Sequence, residues 1–474
     1  MNHALDLLFY NTASRQKELL RPLQEGRIKM YTCGPTVYNF AHIGNFRCYV
    51  FEDLLRRTLQ FFGYQVTQVM NLTDVDDKTI RGAIQNQISL KAYTQPFKEA
   101  FFEDLATLRI QRVEHYPAAT DYIQPMVEMI QKLLDLKIGY LGGDGSIYFA
   151  IRKFPHYGCL SHLKLEELQA GASDRIQTDE YEKDSVADFV LWKKYDPERD
   201  GQIYWESPFG RGRPGWHLEC SAMACDILGE SIDIHCGGID NMFPHHENEI
   251  AQSEACSGKR FVNLWMHCEH LVVDHKKMSK SLGNFYTLRD LVEKGYSGRQ
   301  VRMLLLQTHY KTQLNFSLEG LEGARHSLQR LHDFVARLRE VEGTGTGKAK
   351  DPINKALNDF SAALADDLNI SVAMAALFDC VRSINILADN QGLGKEDAEA
   401  VIALLQRFNT VLDLIDFETT HTFSPELLAL LEQRQQARKA KEWSAADEIR
   451  KILLEKGFLI EDTPQGARLK KVGS

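Results

Sequence analysis

Met30-Tyr31-Thr32-Cys33-Gly34-Pro35-Thr36-Val37-Tyr38-Asn39-Phe40-Ala41-His42-Ile43-Gly44-Asn45 is the stretch that decides how the chain is read. Ile28 to Tyr31 has strand composition, Cys33-Gly34-Pro35 is a turn, and Phe46 to Phe61 carries apolar residues at helical spacing. The segment predicts a strand-turn-helix corner. Cys33 falls at the strand's carboxyl end, where open α/β sheets place their ligands. His42-Ile43-Gly44-Asn45 falls at the front of the helix, where unpaired amides hold an anion. Tyr64 to Met70 reads as the next strand, completing a βαβ unit with parallel strands and a nearly fixed crossover hand. The fold class is α/β.

The 474 residues suffice for about three domains of ~100–200 residues. A net charge of −9 argues against a nonspecific nucleic-acid coat. The tail differs: Gln433 to Ser474 holds ten Lys/Arg against six Asp/Glu, a local basic face that suits RNA or simply a solvated amphipathic helix. No uncharged apolar run reaches the ~18 residues of a membrane span, and the opening Met1-Asn2-His3-Ala4-Leu5-Asp6 lacks the marks of a signal peptide. Nine scattered cysteines, four of them between Cys220 and Cys256, point to reduced thiols and metal ligation. The expected compartment is the cytoplasm, with no membrane partner.

Residues 1–27 read as an approach segment without site chemistry. Asn71 to Lys78 is a polar loop in which Asp74, Asp76 and Asp77 bind a divalent cation or, alternatively, Asp74 or Asp76 caps the following helix. Helices are predicted over Leu90 to Ile110 and Ile123 to Lys137, the Met126, Met129, Ile130 and Leu133 stripe of the second being core. Gly139 to Ile151 reads as turn plus strand, and Phe154 to Trp205 is rich in charge, with a short strand over Asp188 to Lys193. The organisation expected is a first half-sheet over 1–138, an insertion over 139–205 and a second half over 206–275. A lysine loop and stem region follows over 276–316, then a helical bundle over 317–416 and a last module over 424–474. Gly343 to Lys348 lacks the ending of a phosphate-binding loop and is a linker. The loop Asp416 to Phe423 precedes the last module.

Two constellations carry chemistry. His245 and Glu249, four apart on a predicted helix, share one face. With Cys33 and Cys220 they form a Cys₂HisGlu set suited to tetrahedral zinc, and thiolates favour zinc over magnesium or calcium. Cys225, Cys236 and Cys268 are rival ligands, and any one of these cysteines alone is also explained as a small buried apolar residue. The second constellation joins His42-Ile43-Gly44-Asn45 to Lys277-Met278-Ser279-Lys280-Ser281. Histidine and amide donors at a helix N-terminus suit a reacting phosphate, and Gly44 lets an adenine approach the backbone. Lys277 and Lys280 bring mobile positive charge to the β- and γ-phosphates.

With both constellations in this order the chain resembles the cysteinyl-tRNA synthetases, of the class I aminoacyl-tRNA synthetases. The likeness rests on Tyr31 to Asn39, His42 to Asn45, Asn71 to Lys78, Gly215 to Met223, Phe243 to Ile250 and Lys277 to Ser281. It implies a class I Rossmann-like parallel sheet domain with an insertion, a helical-bundle anticodon-binding region and a small C-terminal module. The activity implied is ATP-dependent attachment of cysteine to tRNA(Cys) through cysteinyl-adenylate, by a monomer. The resemblance assigns one Zn²⁺ to Cys33, Cys220, His245 and Glu249, with the substrate thiolate as a further ligand. Thr73, Trp216 and Asp240 take the substrate, Asp240 meeting its ammonium group. His42, Gly44, Asn45, Lys277 and Lys280 take ATP and its Mg²⁺, and all but Gly44 act in catalysis. A shape-based pocket separates near-isosteres such as serine and cysteine by only ~1–3 kcal/mol. Zinc holds a deprotonated thiol strongly and a hydroxyl weakly, so no editing domain is expected, and the 139–205 insertion is too short for one.

Two places depart from the family pattern: Cys236 adds a spare thiol near the site, and Ala467 and Leu469 stand where Thr and Trp are common. Trp443, Arg438 and Arg450 are candidate RNA contacts, though helix packing is the expected role for Trp443. Two rival readings are a mycothiol-type cysteine:amino-sugar ligase, which lacks a tRNA-binding tail, and a catalytically silent tRNA-binding paralogue.

Overall fold

The computed structural model describes residues 5–163, 188–418, 425–463 and 466–471. Strands β1 (Leu8–Asn11) and β2 (Gln16–Leu19) form an N-terminal hairpin. Then come β3 (Arg27–Thr32), helix α1 (Ile43–Phe61), β4 (Gln65–Met70), α2 (Asp77–Gln85), α3 (Leu90–Thr107) and α4 (Ile123–Asp135). After the insertion, α5 (Trp216–Leu228), β9 (Ile232–Gly238), α6 (Glu247–Ser257) and β10 (Val262–Cys268) complete the central sheet. Its four strands run parallel in the order β10-β9-β3-β4, with Tyr31 opposite His235 and Cys236 opposite both Thr32 and Met266. Successive residues of a strand face opposite sides. Met30, Met70 and Met266 therefore pack on the α1 side, and Tyr31, Val69 and Trp265 on the side of α4 and α5.

Helix α1 begins three residues earlier than its apolar spacing predicts. The His42 side chain accepts from Asn45 N, and the Asn45 side chain from His42 N, a reciprocal capping box. The helix is also buried on nearly every face, Arg47, Glu52, Asp53, Arg56 and Arg57 included. It lies between the sheet and α8 (Gly298–Leu306), which follows the short α7 (Leu288–Glu293), on one side and the bundle on the other. That bundle comprises α9 (Leu318–Arg339), α10 (Lys350–Ala365), α11 (Ile370–Asp389) and α12 (Lys395–Leu412). Of the described helices, α11 is the one long and apolar enough to cross a membrane. It carries Asp379 and Arg382, and Ala373, Leu377, Cys380, Val381 and Ile384 are buried on it.

The insertion forms an antiparallel sheet of β5 (Gly139–Leu141), β6 (Ile147–Phe149), β7 (Phe189–Lys194) and β8 (Gly212–Pro214), the last lying after Trp205. Residues 164–187 of the charge-rich stretch lie outside the described residues, as do 419–424 with the expected module start at Ser424. In the last module, α13 (Pro425–Lys439) and α14 (Trp443–Glu455) pair ahead of a two-stranded sheet, Phe458–Thr463 with Gly466–Lys471.

One carboxylate ties the insertion to the sheet domain. Buried Glu247, at the start of α6, accepts from Gly158 N (2.8 Å), Leu160 N (3.2 Å), Ser161 N (2.8 Å) and Ser161 Oγ (2.8 Å). Replacing it leaves several donors buried without a partner, each at a cost of about 1–3 kcal/mol. Glu247→Ala is expected to raise hydrogen exchange at residues 158–161 by at least about tenfold, read by mass spectrometry, while β3 and β9 amides stay protected.

Candidate active site

A cavity of about 620 Å³ opens at the carboxyl ends of β3, β9 and β10. Cys33, His42, Gly44, Asn45, Thr73, Trp216, Cys220, Asp240, His245 and Lys277 line it. Ten of the twelve residues singled out from sequence thus share one wall. Glu249 lies fully buried beneath it, and Lys280 begins a short turn over Lys280–Leu282 with its side chain outside the described residues.

The corner is built by close backbone approach. Gly34 follows Cys33, and a Cβ on it would stand 1.8 Å from Asn71 O, so only glycine lets the ends of β3 and β4 close here. Gly34 N also donates to Asn71 Oδ1 at 2.9 Å. The lysine loop reaches back to the same corner. Ile43 N donates to Tyr286 O at 3.0 Å, His42 bridges Thr287, and a Cβ on Gly44 would meet the His42 ring at 3.0 Å and Met278 Cε at 3.4 Å. The segment that follows Lys277–Ser281 is therefore joined by backbone to the first turn of α1. Burial pushes the His42 imidazole below its ordinary 6.5.

Cys33, Cys220, His245 and Glu249 offer four donor atoms, all buried and all within 4.8 Å of one another. The His245 Nδ1 is engaged by His217 Nδ1 at 2.9 Å, leaving Nε2 3.0 Å from Glu249 Oε1. Glu249 Oε1 is nevertheless an orphan, buried with no hydrogen-bond partner. Burial opposes ionisation of Glu249, yet His235 and His245 hold its carboxyl down to about 2. Burial likewise opposes ionisation of Cys220, but the hydrogen bond with Cys33 and the proximity of His245 bring it to about 6. Cys33 is pushed up by that same hydrogen bond and by burial. Zinc–ligand bonds of about 2.0–2.3 Å place tetrahedral donors roughly 3.3–3.8 Å apart. Two thiols, an imidazole and an orphaned carboxylate oxygen packed this closely fit one such ion.

Behind these four lies a ring of histidines that sequence reasoning missed. His235 Nε2 lies 2.9 Å from Glu249 Oε2, and His246 Nε2 lies 3.2 Å from Cys33 Sγ. His246 Nδ1 meets His267 Nε2 at 2.8 Å, and His267 Nδ1 meets Thr12 Oγ1 at 2.8 Å. Burial drives His246 well below its ordinary value and His267 to about 3, so both rings are neutral. Trp265 stacks on His235 at 4.5 Å. Cys33, His235, His246 and Glu249 also satisfy the distances for an ion, but His235 and His246 do not reach the cavity wall. The His245-His246 doublet and a histidine, His235, inside a strand were the signals available. Thr12 belongs to the segment read as devoid of site chemistry; it supports the site from behind.

Trp216 stacks on His245 at 4.3 Å and is 42 % exposed. Thr73 Oγ1 donates to Glu219 Oε2 at 3.1 Å. Asp240 stands at the rim, its side chain 85 % exposed and 3.5 Å from His270 Nδ1. The three aspartates after β4 do not gather a cation. Asp76 caps α2 through Thr79 N (2.7 Å), Asp74 holds Lys98 (2.6 Å) and Thr120, and Asp77 pairs with Arg213 and Lys193. The rival thiols Cys225, Cys236 and Cys268 join neither donor set among the described residues. Cys236 is a core residue on the α1 side of the sheet. Trp443 is 59 % exposed at the head of α14 rather than packed, whereas Leu469 is buried.

Solved structures of similar fold include methionyl-tRNA synthetase of Mycobacterium tuberculosis bound by methionyl-adenylate (TM-score 0.61, 13 % identity, 89 % of this chain and 96 % of that one). Another is the leucyl enzyme, LeuRS, of Agrobacterium radiobacter in a ternary complex (TM-score 0.59, 12 % identity, 83 % and 85 %). The fold is that of a class I aminoacyl-tRNA synthetase. Family models match residues 19–326 (tRNA synthetases class I (C) catalytic domain), 359–416 (DALR domain) and 420–468 (cysteinyl-tRNA ligase anticodon binding domain). The cysteine–tRNA ligase of Protochlamydia amoebophila is 65 % identical over 474 residues, 99 % of each chain, and that of Chlamydia pneumoniae 54 % identical over 472, again 99 % of each. The chain belongs to the cysteine–tRNA ligase family.

The His42 cap has a pH signature. Its folded pKa lies below 6.5, so the neutral ring is fully present above that pH. As pH falls from there through the folded value, protonation takes the acceptor from Asn45 N and the contribution is lost. ATP affinity, measured by equilibrium binding between pH 8 and 5.5, is expected to weaken on the acid side. His42→Asn, which caps without titrating, is expected to flatten that limb.

Proposed function

We propose that this protein activates L-cysteine with ATP and transfers the cysteinyl group to tRNA(Cys), acting as a monomer in the cytoplasm. The observation that carries the reading is the convergence of two thiols, an imidazole and a carboxylate beside the nucleotide corner. The nine unbridged cysteines accord with a reducing compartment. The sheet domain, 1–138 and 206–275, would hold the reactants, with the insertion 139–205 folded beside it. Residues 276–316 would carry the lysine loop and stem contacts, 317–416 a tRNA-binding bundle, and 424–474 an anticodon-binding module. That tail is what an amino-sugar ligase would lack.

Cys33, Cys220, His245 and Glu249 would hold Zn²⁺. Three of these ligands line the cavity, which favours this set over the one behind it. When bound, the ion supplies a Lewis acid that prefers a thiolate to a hydroxyl. Asp240 at the rim would take the substrate ammonium, while Trp216 and Thr73 bound the space around it. In the first step the cysteine carboxylate attacks the α-phosphate of Mg²⁺-bound ATP and pyrophosphate leaves. His42, Asn45 and the α1 amides would meet the charge growing on the reacting phosphate, and Lys277 and Lys280 that on the leaving pyrophosphate. In the second, the terminal ribose hydroxyl of tRNA attacks the acyl carbon and AMP leaves.

Elemental analysis of the purified protein is expected to find one zinc per chain. Cys33→Ser is expected to lose the ion and weaken cysteine binding on the order of 100-fold, with ATP affinity changed less than about threefold. Equal losses of both ligands would remove the metal from substrate selection. Because discrimination precedes transfer, the purified enzyme is also expected not to hydrolyse seryl-tRNA(Cys).

A further inference from the structure

Helix α1 has two ends with different neighbours. Its first turn is the nucleotide corner, and its 19 residues extend roughly 28 Å at 1.5 Å per residue into the helical bundle. There Phe61 packs edge-on to Phe360 of α10 at 6.0 Å, and Arg407 of α12 lies over the Phe61 ring at 5.0 Å. The strongest joint is a buried ion network. Asp53 Oδ2 accepts from Arg57 Nε (2.8 Å) and from Arg302 Nη2 of α8 (2.5 Å), and Asp53 Oδ1 accepts from Gln111 N (2.9 Å).

Both guanidinium groups continue to the end of α12. Arg302, fully buried, donates Nε to Leu412 O (2.7 Å) and Nη1 to Leu108 O (3.2 Å). Arg57 donates Nη1 to Thr410 O (3.1 Å) and Nη2 to Arg109 O (2.7 Å), and pairs with Asp413 (3.2 Å). Asp413 caps α12 in the left-handed region, φ 48°, and also meets Arg109 at 3.3 Å. The last carbonyls of a helix have no partner within it and carry its negative end. Planar guanidinium groups satisfy such carbonyls in one orientation, whereas an apolar contact would let the helices roll. None of these residues lines the cavity.

We propose that Asp53, Arg57 and Arg302 are positioning residues for the transfer step, fixing the bundle at one distance and angle from the nucleotide pocket. A tRNA docked on the bundle then presents its acceptor end to the adenylate already aligned, and misplacement by about 1 Å can cost on the order of 100-fold in rate. The inference rests on the reading of the bundle as a tRNA-binding surface. Adenylate formation needs only the corner and the metal set, so it does not depend on this joint.

The test uses the full-length enzyme with Arg57→Met, which leaves Asp53 paired with Arg302, and Asp413→Asn, which tolerates the left-handed backbone. Cysteine-dependent ATP–pyrophosphate exchange is expected to stay within about twofold of wild type, and the tRNA Kd within about threefold. The single-turnover transfer rate from preformed cysteinyl-adenylate is expected to fall about tenfold or more in Arg57→Met and less in Asp413→Asn, with Arg57→Lys between Met and wild type. Parallel losses of exchange and transfer would reduce the network to a structural role and overturn the inference. So would unchanged transfer in both folded variants. Hydrogen exchange of wild type with and without tRNA separates the underlying reading. If α9 to α12 gain no protection, the bundle does not dock tRNA and both fall together; protection with unaltered transfer defeats only the positioning role.

Discussion

The interaction on which this structure depends is the burial of Glu249 against Cys33, Cys220 and His245. A carboxylate removed from water needs compensation or it takes up a proton. Here the compensation comes from imidazoles: His245 from the turn that leads into α6 and His235 from the neighbouring strand, whose contacts hold the carboxyl near 2. Positioning those imidazoles takes further contacts. His217 engages His245, Trp265 stacks on His235, and His267 leads from His246 to Thr12 of the N-terminal segment. Elements spread along the chain from Thr12 to His267 are thus held to one cluster. The outer groups matter because partners that hydrogen-bond to a metal's ligands orient them and tune their basicity.

The same crowding explains the nucleotide corner. Cys33 ends β3 and His42 begins α1, so thiol and signature histidine are separated by one short turn. The capping box formed by His42 and Asn45 fixes the first turn of α1. The segment after the lysine loop is bound to that turn through Tyr286 and Thr287.

Much of this was legible from residue patterns. The strand-turn-helix corner, the order of the parallel strands' motifs and the helical second half follow from local composition and period, which packing here reinforces. The Cys₂HisGlu cluster was legible because His245 and Glu249 stand four residues apart, Cys33 follows a strand and Cys220 lies in the first turns of a helix. What escaped has physical causes. Arg47, Arg57 and Asp53 look like a solvated helix face, since charged residues are seldom fully buried unless paired. The two arginines donate to carbonyls near the ends of α8 and α12, backbone groups that no side-chain pattern reveals, and Asp53 accepts from Arg302, distant in sequence. The aspartates after β4 carried two local readings, and Lys98, Thr120, Arg213 and Lys193, all distant in sequence, decide against a cation. Trp443 is the opposite case, an aromatic expected to pack that stands in solvent.

The account turns on whether Cys33 and Cys220 offer two thiolates to a metal that keeps a place for a third from the substrate. Cobalt exchanged into the site makes this visible, because sulfur-to-cobalt charge-transfer absorption grows with each thiolate bound. The expected spectrum has the intensity of two thiolates in the resting enzyme, rises by about half again when cysteine is added, and stays unchanged with serine. A resting spectrum without sulfur ligands, or one indifferent to cysteine, would contradict it.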